Sequence, residues 1–335
     1  MTAQRRARRR LGLGGGILLL VVLAIASLAI GSKDIPFDQI WPALLDPTGS
    51  DTALIVTGLR VPRTVLGVLV GAALGVAGAL IQAFTRNPLA DPGVLGVNAG
   101  AALGVSVSIV FLGLEGIGQL VWPALIGAVV ATVGVYAVGR SGRSGATPIR
   151  MTLAGVGIGA VLAGITSAIS LSNPQRFHSM LGWSAGTLVG PPLSTSGVIA
   201  PLVGVGLVVA LGISRDLNAL GLGEDLASSL GSRVVVTRSL AVLAVTLLAG
   251  AATAAAGPIG FIGLMVPHVA RWITGPDQRW IMAYSVVLGP CVLLLSDIVG
   301  RIVMRPAELP VGIVTAFVGA PILISLARRS KASAL

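Results

Sequence analysis

The chain has 335 residues, 54% hydrophobic and 10% charged, whereas a water-soluble domain carries roughly 25% charge, so its apolar surface needs a solvent other than water. A net charge of +11 would suit nucleic acid if the cations shared one polar face, but Arg5, Arg6, Arg8, Arg9 and Arg10 precede the first apolar block and most others flank later ones. With a single cysteine, Cys291, this composition excludes a soluble enzyme, a disulfide scaffold, a disordered chain and a nucleic-acid binder, and leaves a polytopic membrane protein.

A helix needs about 20 apolar residues to cross a ~30 Å hydrocarbon core. In chain order, such blocks run over 11–31, 61–84, 94–112, 120–138 and 151–171. The second half adds 194–213, 239–256, 258–273, 280–299 and 310–326, which makes ten. The start, with its arginines and apolar run, also has the form of a signal peptide. Removing it would misplace the later basic loops, so it reads as the first span. The eighth block is short and holds Pro258 and Pro267, so a broken helix packed on its neighbours is expected there. With ten spans and a cytoplasmic amino terminus, only Lys33, Arg60, Arg63, Arg176, Arg301 and Arg305 face outward. The remaining cations lie inside, as the positive-inside rule requires, and both termini are expected to be cytoplasmic.

The chemistry of an engine is missing. Neither Lys33 nor Lys331 sits in a phosphate-binding loop. His178 and His268 stand 90 positions apart with no spaced partner, so no metal or catalytic cluster is expected. Asp297 is the best intramembrane proton carrier, yet it lies near the outer end of its span and no relay accompanies it. The spans are instead rich in small residues. Gly71, Gly75 and Gly78 share one helix face, and Gly155, Gly157, Gly159 and Gly164 recur in the fifth span, a pattern of closely packed helices.

Residues 215–234 form a polar inner stretch, RDLNALGLGEDLASSLGSRV. Leu226, Ala227 and Leu230 fall at helical spacing among Glu224, Asp225, Ser228 and Ser229, and Gly231 supplies a stop. An interfacial lipid helix would be basic; this one is acidic, which favours a protein partner.

Seven stretches, in order, resemble the permease subunits of bacterial ABC importers for iron–siderophore chelates, haem and cobalamin, the FecCD-type family. They are LRVPR (59–63), GAALGVAGALIQAFTRNPLADPGVLGVNAGA (71–101), LAGVGIGAVLAGITS (153–167), GWSAGTL (182–188), LNALGLGEDLASSLG (217–231), AAAGPIGFIGLMVPHVAR (254–271) and ELPVGIVTAFVGAP (308–321). The resemblance implies an all-α polytopic fold of about ten transmembrane helices, the type II ABC importer permease fold. It covers 1–335 as one permease domain, with a basic tail at 1–10 and a coupling loop at 215–234. It also implies a dimer with an identical or related permease, a cytoplasmic ABC ATPase that holds ATP and Mg, and an extracytoplasmic binding protein. The chain itself would bind no cofactor and sit in the bacterial inner membrane.

Carried over residue by residue, the family's coupling element corresponds to Gly223, Glu224, Asp225, Leu226, Ala227, Leu230 and Gly231. The positions of Arg60, Arg63 and Arg301 resemble those that pair with carboxylates of the binding protein, and Arg305 lies beside them. The cytoplasmic gate corresponds to Asn87, Pro88 and Leu89 and to Thr147, Pro148 and Ile149, where small polar residues would be expected at the second segment. The expected cargo is a ferric siderophore, with cobalamin or haem as the alternative. A secondary transporter without an ATPase is the competing class; the acidic inner loop and the absent relay weigh against it.

Overall fold

The computed structural model describes residues 3–47, 50–114, 116–141, 148–175 and 181–330. Among these the ordered elements are helical. They are α1 (Ala3–Ala29), α2 (Phe37–Leu45), α3 (Asp51–Ile55), a π-turn (Val56–Arg60), α4 (Val61–Thr85), a 3-10 turn (Pro92–Leu95), α5 (Val97–Leu112) and α6 (Ile117–Arg140). There follow α7 (Pro148–Ser172), α8 (Leu181–Ser184), α9 (Leu193–Gly212), α10 (Ser214–Leu220), α11 (Glu224–Ser229), α12 (Val234–Ala256), α13 (Ile262–Thr274), α14 (Gln278–Val303) and α15 (Val311–Ser330).

Each expected span falls on a helix, and among the described residues seven stretches are long and apolar enough to cross a membrane, with shorter apolar helices besides. Helices are the solution because hydrocarbon offers no partner for a free N–H or C=O. The second span is longer than its apolar block, since helix continues from Asp51 through the π-turn to Thr85. The third is shorter: residues 92–95 form the 3-10 turn, and α5 begins at Val97 after Gly96, whose φ of +76° only glycine adopts readily.

The eighth block is only partly helical. Helix α13 has 13 residues, about 20 Å of rise, against ~35 Å for the preceding 23-residue α12, and residues 257–261 before it are non-helical, with Phe261 in the left-handed region at φ +69°. The stretch follows a helix end packed against 183–187, where Thr187 N donates to Ala256 O (2.8 Å) and the indole of Trp183 donates to Ala254 O, and within it Gly257 and Ile259 are buried.

The centre of the bundle is α4, packed against α9, α12, α13 and α14. Its glycines meet neighbours backbone to backbone. A Cβ on Gly71 would stand 2.6 Å from Pro290 Cα, one on Gly75 would stand 2.7 Å from Ser285 O, and Gly78 abuts Gly263. In lipid, such close approach replaces the hydrophobic drive. Gly71→Val is therefore expected to cost at least ~1–3 kcal/mol of overpacking, because backbone cannot rotate away. Gly134→Val, with open space at its Cβ, should be tolerated. Fluorescence-detected size exclusion of the two variants checks this. In the fifth span only Gly155 is contacted, by Val94 O; Gly157, Gly159 and Gly164 face open space, so α7 offers an unpartnered face.

Candidate functional site

The bundle has two polar ends. Helix α14 connects them: its 26 residues, about 39 Å, run from Gln278 beside the α10–α11 segment to Val303, with Arg301 in its last turn beside a cavity. The start of α1 lies at the α10–α11 end, where Arg9 pairs with Asp277.

At the other end a cavity of about 490 Å³ lies between the segment after α1, the π-turn, residues 188–192 and the corner after α14. Its wall carries Arg60, Arg63, Arg301 and Glu308. The three arginines do not simply precede or follow spans, as the sequence suggests. All are buried, because the helix extends past them and α1 closes over them. Asp297, 1% exposed, bridges two of them. Arg63 donates to its Oδ1 from Nη2 (2.7 Å) and from Nε (3.0 Å), and Arg301 donates to its Oδ2 from Nε (3.0 Å) and from Nη2. Arg63 also pairs with Glu308 at 2.5 Å.

The same arginines cap α1. Arg301 Nη1 donates to Ser27 O (2.7 Å) and Ile30 O (3.0 Å), and Arg60 Nη1 donates to Leu28 O and Ala29 O, both at 2.6 Å, while its Nη2 donates to Lys33 O. A helix terminus leaves its last carbonyls unpaired and carries partial negative charge, so guanidinium groups satisfy both demands. Asp297 is thus a structural bridge and not a proton carrier. The cluster of three arginines, Asp297 and Glu308 carries one net positive charge. That charge centres on Arg60, which meets no carboxylate within ion-pair distance among the described residues. Arg305 is exposed and pairs with Asp34 (2.6 Å), holding that carboxyl below its ordinary pKa and tying the loop after α1 to the end of α14.

At the α10–α11 end the short amphipathic helix suggested by sequence is α11, and a second short helix, α10, precedes it. Gly223, with φ +119° and ψ 153°, turns the chain between them, a conformation essentially restricted to glycine. Gly231, at φ +83°, ends α11. Leu226 (57% exposed) and Leu230 (67%) face outward, and Leu222 joins them (64%). Leu222 was not singled out by sequence; it lies in the turn before Gly223, outside either helix, so no helical spacing marks it. Ala227, by contrast, is fully buried and packs inward against the bundle. Glu224 is half-exposed and paired with Arg238 of α12; Asp225 is exposed, and its carbonyl accepts from Ser229 Oγ (2.8 Å).

Of the segments expected to form a gate, 87–89 and the described residues 148–149 lie at this end. Asn87, Pro88 and Leu89 form the turn after α4, where the Asn87 side chain accepts from Leu89 N (2.9 Å). Ile149 is exposed in the first turn of α7, Pro148 opens that helix, and Thr147 lies outside the described residues. Nearby, Arg271 donates to Gln82 Oε1 (3.3 Å) and Gln82 to Gly263 O (3.1 Å), while His268 meets Trp272 edge-on, all packing contacts between α4 and α13 or within α13.

Comparison with known proteins fits this arrangement. The chain is 44% identical to the ferric enterobactin transport system permease protein FepD of Escherichia coli (strain K12), covering 98% of both chains. It is 37% identical to the probable siderophore transport system permease protein YfiZ of Bacillus subtilis (strain 168), over 93% of this chain and 94% of that one. Among solved structures it superposes on an inward-facing metal-chelate type ABC transporter with a TM-score of 0.82 at 25% identity, covering 95% of this chain and 98% of that one. The FecCD transport family matches residues 19–329, and the chain belongs to that family of multi-pass membrane permeases.

Proposed function

We propose that this chain is the membrane subunit of an ATP-driven importer through which a ferric siderophore enters the cell. The observation that carries the reading is the pairing of two unlike surfaces at opposite ends of one bundle: a cationic cavity and an exposed leucine face set among acidic residues. The 44% identity to a ferric enterobactin permease supports the cargo.

In this reading the α10–α11 end is cytoplasmic and both termini lie there. Leu222, Leu226 and Leu230 seat in a groove of a separate ABC ATPase, flanked by Glu224 and Asp225. Gly223 and Gly231 set the angle of α11, and Ala227 anchors it to the bundle. ATP and Mg belong to that partner. The unpartnered face of α7 meets a second permease subunit, identical or related. The turn 87–89 and the start of α7, 147–149, line the inner gate. At the outer end the cavity receives a carboxylate of the extracytoplasmic binding protein. Arg60 is its main target, because Arg63 and Arg301 already hold carboxylates. Arg305 stands at the rim.

Uptake tests the cargo. In cells lacking their own permease, this chain with its cognate ATPase and binding protein is expected to restore accumulation of iron-55 given as a ferric siderophore. Restoration of haemin or cobalamin uptake alone would overturn the cargo and leave the importer standing.

Docking has its own test. Arg60→Gln removes the uncompensated charge while keeping donors for the α1 carbonyls, so binding-protein affinity should fall roughly tenfold, about 1.4 kcal/mol. The salt dependence of docking should fall with it. Interferometry on nanodisc-embedded protein at two salt concentrations measures both. Reversing Arg63 is a poor probe, since it would set a third carboxylate beside Asp297 and Glu308.

A further inference from the structure

The α10–α11 segment is joined to the bundle by one side chain in particular. Asn218, on α10, uses both ends of its amide: Nδ2 donates to Asp277 Oδ1 (3.0 Å), and Oδ1 accepts from Gln278 N (2.8 Å). Asp277 is the N-cap of α14 and Gln278 its first residue. An orphan N–H at the start of a long helix is therefore satisfied by a residue of the coupling segment. Because donor and acceptor are both engaged, the amide has one orientation.

The far side of the joint is equally well held. Arg9 of α1 pairs with the other oxygen of Asp277 (3.7 Å) and lies over the Trp280 ring, 5.8 Å from its centroid. Within the segment, Ser232 Oγ donates to Asp216 Oδ1 (2.9 Å) and Ser232 N to Ala227 O (2.9 Å), so α10 and α11 move as one piece. From the joint, α14 runs the height of the bundle to Arg301 in the wall of the cationic cavity and to Asp297, which pairs with Arg301 and Arg63 behind it. Pro290 interrupts its hydrogen bonding near the middle, but Gly289 and Pro290 are pressed on the backbone of Gly71, so the helix cannot hinge freely there.

We propose that Asn218 is a positioning residue that fastens the coupling segment to the first turn of α14, making this helix the element by which occupancy of the cavity is felt at the ATPase. The inference rests on the functional reading above. Gln278 Oε1, one residue from the Asp277 cap, is buried with no hydrogen-bond partner among the described residues, so the joint holds an unused acceptor. Coupling between distant sites is carried by rigid elements and hydrogen-bond networks of this kind.

The test uses the full complex of this permease with its ATPase in nanodiscs, with and without the binding protein. Asn218→Leu, close in volume but without either hydrogen bond, is expected to keep the ATPase bound and to hydrolyse ATP within about twofold of wild type when binding protein is absent. Stimulation by cargo-loaded binding protein should be lost, and uptake should fall at least tenfold. Asn218→Asp alone sets two carboxylates against each other and should behave likewise. Asn218→Asp combined with Asp277→Asn exchanges donor and acceptor, restores both bonds and should recover stimulation. Full stimulation in Asn218→Leu overturns the proposal, as does loss of ATPase binding in that variant, which would make Asn218 a docking residue. If Asn218→Leu does not fold, a folded exchange variant without stimulation overturns it equally. Failure of any ATPase to associate with the wild-type chain would instead bring down the importer reading, and this proposal with it.

Discussion

Asp297→Asn is expected to lower the stability of the purified permease by about 3–5 kcal/mol, the usual cost of removing one partner from a buried ion pair. The reason is an imbalance of charge. Asp297 accepts from both Arg63 and Arg301, and those side chains are almost completely enclosed. Arg63 keeps Glu308, but Arg301 is left with a hydroxyl and backbone carbonyls in a setting that excludes water. Asn fills the same space, so the loss reports charge and not a cavity. The double variant Asp297→Asn with Arg301→Met removes the stranded cation and should be less damaged than the single one, despite losing two caps on α1. Thermal unfolding of the single and double variants in one detergent measures the coupling. A single variant as stable as wild type would show that the cluster is hydrated and its pairs nearly neutral in energy.

The second large effect is on assembly. Leu226→Glu with Leu230→Glu is expected to leave the permease folded, since both side chains already face outward, and to abolish association with an ATPase. Burying a leucine stabilises an interface by ~1.5–3 kcal/mol, so two together amount to roughly 3–6 kcal/mol, at least a hundredfold in affinity. Copurification and uptake should both be lost. Ala227→Leu gives the contrasting outcome: a larger side chain at a fully enclosed position should destabilise α11 itself, by about 1–3 kcal/mol. Glu224→Arg is the less clean experiment. It reverses a charge on the contact face and also sets a cation against Arg238, its own partner on α12.

The polar clusters show how far one dimension reaches. Asp297 and Arg301, four residues apart on one helix, are a pair that local spacing can suggest. That Arg63 completes the bridge from 234 positions away, and that two arginines end up capping α1, has no local signature. Asn218 is similar: within RDLNALG it reads as an ordinary polar residue of a loop, and only the approach of the 274–278 corner makes it a cap. In α11 the helical period grouped Leu226, Ala227 and Leu230. Which of them faces the bundle depended on where α10 and α12 lie.

What the sequence determined by itself was the solvent and the kind of element. Apolar blocks about 20 residues long must be helices, because hydrocarbon satisfies no backbone hydrogen bond, and glycines at 71, 75 and 78 must face another backbone to be useful there. What the tertiary structure decided was the fate of the few polar groups. A guanidinium in an apolar setting is held by whichever carboxylates and helix ends come within hydrogen-bond reach, and those neighbours are set by the packing of helices distant in the chain. The same packing set the end of the seventh span, where Ala254 and Ala256 carbonyls take donors from Trp183 and Thr187 and Gly257 lies against Trp183, residues about 70 positions away.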